Sequence, residues 1–86
     1  MLTSWLNTPG SPLQFEGADY PIVAHTDRGD YEIRHNAGTR VWTCYHNGRY
    51  FHRNLNAMYA VRTCQYHYIR TIDEERRRQR AAEEDR

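Results

Sequence analysis

The chain has 86 residues, 38% hydrophobic and 27% charged, which leaves room for one small domain and excludes a multi-domain enzyme. No apolar run approaches the roughly 20 residues of a membrane helix, and residues 1–7 lack the basic head and apolar centre of a secretion signal. The net charge of +1 hides a gradient, with residues 1–27 at −3, residues 28–70 at +5 and residues 71–86 at −1.

A moderately basic body between acidic or mixed ends suits phosphates or acidic protein surfaces. It falls short of the strongly basic footprint of a dedicated DNA-binding domain. All twelve basic residues are Arg, which matches the composition of a GC-rich genome. Two cysteines, Cys44 and Cys64, are too few for a disulfide framework and read as structural thiols of a cytoplasmic protein.

In chain order, residues 7–12 (Asn-Thr-Pro-Gly-Ser-Pro) form a loop, because two prolines and a glycine remove helical options. Trp5 and Leu6 before it read as a hydrophobic anchor, and Leu13 and Phe15 alternate with polar neighbours as a short strand would. Residues 20–26 read as a strand, with Pro21 at its start or on an edge. A turn at residues 27–30 leads to a strand at 31–35, and a turn at 36–39 to a strand at 40–46. Asn47-Gly48 then joins that strand to another at 49–53. The pair suits a two-residue hairpin turn with both central φ angles positive.

That turn predicts a register: His46 opposite Arg49, Tyr45 opposite Tyr50, Cys44 opposite Phe51, Thr43 opposite His52 and Trp42 opposite Arg53. The face with Trp42, Cys44 and Phe51 holds the largest apolar volume and is assigned to the core, extended by Tyr31 and Ile33. Thr43, Tyr45, Tyr50, His52 and Arg34 are left on the outer face.

A helix is predicted from about Leu55, capped by Asn54. Leu55, Met58, Val61, Ile69 and Ile72 fall on one stripe, flanked by Tyr59, Tyr66 and Tyr68, and this stripe is expected to meet the sheet. Beyond Ile72 the chain has no large apolar residue but carries acid-before-base pairs, Asp73 with Arg77 and Glu74 with Arg78. The sum is an α+β fold: an antiparallel meander of three to four strands with one long C-terminal helix packed on one face. Residues 1–72 form one domain, with 1–18 as an arm or loop, and 73–86 a charged helical extension.

The candidate chemistry is sparse. Cys44, His46, Cys64 and His67 have the residue types of a zinc site, but helical geometry sets Cys64 about 100° and His67 about 160° from the stripe centre. No metal and no cofactor is therefore expected. Ser4 and Ser11 sit in the loop-rich start, Asp30 and Glu32 flank a turn, and no phosphate-cradling glycine loop occurs, so no catalytic residue is assigned.

The outer sheet face is the informative feature. Tyr45, Tyr50, His52, Arg34 and Thr43 offer broad aromatic and guanidinium contact area, as at the energetic centres of protein interfaces. The expected function is a small non-enzymatic binding protein that occludes or regulates a host protein or nucleoprotein complex. The alternative partner is nucleic acid, held by Arg49, Arg53, Arg34 and Arg40.

The stretch Tyr31-Glu32-Ile33-Arg34 through Arg40-Val41-Trp42, followed by a helix, resembles three-strand-plus-helix DNA-binding domains such as the integrase arm-binding family. The Asn47-Gly48 hairpin before the helix is an addition to that outline. Size, Arg-rich body and lack of catalytic residues are also similar to small phage accessory proteins, anti-CRISPR inhibitors among them. That likeness implies an inhibitor acting in a host cytoplasm.

Overall fold

Four strands and one helix make up most of residues 11–84, the part of the chain described by this computed structural model. Strands β1 (Ile22–Ala24), β2 (Tyr31–Asn36), β3 (Val41–His46) and β4 (Arg49–Asn54) form one antiparallel sheet in sequence order. Helix α1 (Ala57–Glu84) packs on one side of it, so the fold is α+β as the sequence predicts. The Trp5–Leu6 anchor lies outside the described residues.

β1 is shorter than the predicted run of residues 20–26 at both ends. Pro21, which follows a cis bond to Tyr20, has no N–H to pair. Thr26 is drawn into the next turn, where its hydroxyl accepts from Arg28 N–H (3.0 Å) and donates to the Gly29 carbonyl (2.6 Å). Glu16 and Val23 exchange backbone hydrogen bonds at 2.7 and 3.0 Å, which lays the preceding segment beside β1.

The core collects alternate residues of the inner sheet face: Ile22, Ala24, Tyr31, Ile33 and Cys44. Leu13 and Phe15 join them at 2% exposure each, and full burial of such side chains stabilises by about 1.5–3 kcal/mol apiece. Trp42 and Phe51 pack at the margin of this cluster, on the predicted face.

The β3–β4 hairpin departs from the predicted register after two pairs. Asn47 (φ 54°) and Gly48 (φ 82°) turn as expected, and His46–Arg49 and Tyr45–Tyr50 are opposed. The next pairs are Cys44–His52, Thr43–Arg53 and Trp42–Asn54, with Phe51 left as an extra residue in β4. An inserted residue of this kind bends its strand and re-aims the side chains that follow.

The helix begins two residues later than predicted, and its cap is Asn56, not Asn54. Asn56 Oδ1 accepts from the N–H groups of Met58 (2.9 Å) and Tyr59 (3.3 Å). Asn54 is held in β4 opposite Trp42, and its side-chain oxygen accepts from Asn56 N–H at 2.9 Å.

The helix is also rotated relative to expectation. Ala60, Val61 and Cys64 are the residues buried against the sheet. Much of the stripe assigned to the core faces solvent instead: Leu55 is 73% exposed, Met58 49%, Tyr59 54%, Tyr66 67% and Ile69 41%. The reason is steric. Ala60 and Cys64 let the helix backbone approach until the Cys44 thiol donates to the Ala60 carbonyl at 3.6 Å, a distance that a Leu/Met/Ile stripe would hold open.

Candidate interaction face

β-strand alternation puts Val23, Glu32, Tyr45 and Tyr50 in one row on the sheet face opposite α1, and Arg34, Thr43 and Arg53 in the next. Among the described residues no element covers this face. The Tyr45 and Tyr50 rings meet edge to face at 6.0 Å and 70°. The Arg34 guanidinium lies 4.3 Å from the Tyr45 ring centroid, a cation–π contact. Its Nε and Nη2 both reach Glu32 Oε1, at 3.0 and 2.9 Å, and this carboxylate raises the guanidinium pKa further. Thr43 Oγ1 donates to the Arg34 carbonyl at 3.4 Å. The result is a braced platform on which an Arg and two phenol rings hold one another in place.

Four of the five predicted contact residues, Arg34, Thr43, Tyr45 and Tyr50, share this face. His52 does not. The extra residue in β4 sets it opposite Cys44, on the helix side, where its Nε2 is buried without a hydrogen-bond partner. The same shift brings Arg53 opposite Thr43 and onto the outer face. Of the arginines considered for nucleic acid, Arg34 and Arg53 therefore share the outer face, with Thr43 of β3 between them. Arg49 opposes His46 at the hairpin end, and Arg40 sits in the β2–β3 turn with φ 57°.

On the helix side, the structure assembles a cluster that helical-wheel reasoning places far from the core. Tyr31 stacks on His46 at 4.5 Å, and His67 lies 4.8 Å from His46 and 4.7 Å from Phe51. His46 Nε2 is 2.8 Å from the Arg28 carbonyl. Burial pushes the Tyr31 phenol up to about 12. Burial, followed by His46 and Arg70, lowers the His67 pKa below its ordinary value. The rotation of α1 explains the discrepancy: Cys64 and His67 face the sheet.

Cys64 meets Cys44, whose sulfur, together with burial, raises the Cys64 thiol. Both are free thiols. The Cys/His quartet thus gathers as two separate pairs, and among the described residues no three His, Cys, Asp or Glu side chains are placed to hold a metal ion. The signal for the cluster was in the sequence, as the spacing of Cys64, His67 and Tyr68 along one helical side. Hydropathy favoured the larger aliphatic residues.

Among the described residues no helix is long and apolar enough to cross a membrane. Comparison with protein-family models, curated proteins and solved structures returns no match for the chain.

Proposed function

We propose that the protein is a small non-enzymatic binding module that docks its outer sheet face onto a partner protein or nucleoprotein and blocks or regulates it. The observation that carries this reading is the Arg34–Tyr45–Tyr50 array, with Tyr50 55% exposed at its end. Tyr and Arg are enriched among the residues that dominate binding energy, and these three are already ordered by their mutual contacts. The inhibitory role of small phage accessory proteins in a host cytoplasm is the setting proposed for it.

The test is affinity capture from the source cells with identification by mass spectrometry, run in parallel with a Tyr45→Ala/Tyr50→Ala double variant. A specific partner lost by the double variant, with an unchanged thermal melt, is expected. A partner retained by it sinks the proposed surface.

A second reading, contact with nucleic acid, is favoured by the relocation of Arg53 onto the sheet face that carries Arg34, with Thr43 between them. Glu32 counts against it, because it already engages the Arg34 guanidinium. Phosphate contacts release counterions, so this reading expects affinity for random duplex or single strand to fall steeply with salt. Persistence of that binding at physiological salt would favour it over the first.

A further inference from the structure

Between α1 and β4 the surface dips into a cavity of about 390 Å³ lined by Phe51, Thr63, Tyr66, His67 and Arg70. Small ligands fill cavities of about 300–1,000 Å³. Positions 63, 66, 67 and 70 have the three- and four-residue spacings that bring side chains together on one side of a helix. Phe51 is the extra residue of β4, and its ring lies 4.7 Å from that of His67. The insertion that interrupts the ladder thus supplies the strand-side wall of the cavity.

Two rings and three polar groups meet there. Phe51 and Tyr66 give aromatic surface, and Tyr66 is 67% exposed. Arg70 brings a guanidinium and Thr63 a hydroxyl. Among the described residues neither has a hydrogen-bond or ion-pair partner, although Glu74 lies one turn on from Arg70. His67 has its Nδ1 engaged by the Tyr31 hydroxyl, which leaves Nε2 as the remaining polar atom of the ring. When Tyr31 donates to Nδ1, Nε2 carries the proton and is a donor. Arg70 and His46 both disfavour a charged His67, with Glu74 opposing them. Positive groups edging one cavity are relieved by an anion.

We propose that this cavity binds a small aromatic phosphate monoester, its phosphate held by Arg70, Thr63 Oγ1 and His67 Nε2 and its ring laid against Phe51 and Tyr66. Three donors from separate side chains suit a tetrahedral group with three acceptor oxygens, whereas a planar carboxylate offers two. A guanidinium fork is the side chain best matched to phosphate oxygens. The cavity lies on the helix side of the sheet and the Tyr45–Tyr50 platform on the other, so this inference stands independently of the proposed function.

Titration of the full chain with phenyl phosphate at low salt, followed by heteronuclear NMR, tests it. Saturable shifts are expected at Thr63, Tyr66, His67 and Arg70, and none at Tyr45 or Tyr50. Long-range correlations of the His67 ring should place its proton on Nε2 in the complex. Arg70→Gln should weaken binding by about tenfold, the effect of losing a hydrogen bond to a charged group. Arg62→Gln, also on α1 but outside the cavity, should leave binding unchanged. Both arginines are exposed, so neither substitution tests folding. Inorganic phosphate and phenol, each lacking half of the contacts, should bind about tenfold more weakly. The proposal is overturned by absence of saturation below about 10 mM, by equal affinity in wild type and Arg70→Gln, by equal weakening in both Arg variants, or by a complex whose Nε2 is unprotonated.

Discussion

The Tyr31 hydroxyl lies 2.5 Å from Nδ1 of His67, joining the start of β2 to α1. The Tyr31 phenol, with its pKa raised to about 12, stays protonated and shares this hydrogen bond with His67, whose tautomer sets which of the two donates.

Acid should therefore weaken the fold. The His67 pKa is lowered from 6.5 by burial first and then by His46 and Arg70, with Glu74 opposing. The unfolded chain binds the proton more readily, so stability rises with pH in this window. The contribution is fully present above about 6.5 and is lost as pH falls through the folded value. Thermal melts at pH 7.5 and pH 5 should show a lower midpoint in acid, and His67→Gln should flatten that dependence. Tyr31→Phe should cost about 1 kcal/mol at neutral pH, the typical net worth of one hydrogen bond.

The two thiols should be silent in the native state. Cys44 and Cys64 are both fully buried, and the neighbouring Cys44 sulfur, followed by burial, keeps the Cys64 thiol protonated. Only a thiolate reacts with alkylating or disulfide reagents. Labelling monitored by intact mass should proceed at the rate of unfolding and reach two groups per chain in denaturant. Rapid native labelling of either cysteine would contradict the close approach of α1 at Ala60.

Helix capping separates the two asparagines. Asn56→Ala removes the acceptor of two first-turn N–H groups and should destabilise by about 1 kcal/mol in chemical denaturation. Asn54→Ala removes one acceptor, for the Asn56 N–H, and should cost less. The reverse order would place the helix start at Leu55.

Much of the fold was legible because it rests on local rules. Asn47-Gly48 specified its turn through φ alone, and strand alternation put Tyr45 and Tyr50 on one side and Cys44 on the other. Phe51 was not legible as an extra residue: nothing in Arg49-Tyr50-Phe51-His52-Arg53 marks where a ladder skips. One insertion there exchanged His52 for Arg53 on the candidate face. The same limit applied to α1, where Leu55, Met58 and Ile69 outweighed Ala60, Cys64 and His67 on any hydropathy count.

By itself, then, the sequence determined the order of the elements, the β3–β4 turn and the side taken by the two phenol rings, because each follows from the backbone preferences of a few adjacent residues. Tertiary structure alone decided which helical side meets the sheet and which residues follow the β4 insertion. Those outcomes depend on how closely two surfaces can approach, and small side chains at Ala60 and Cys64 won that contest over larger, more hydrophobic ones.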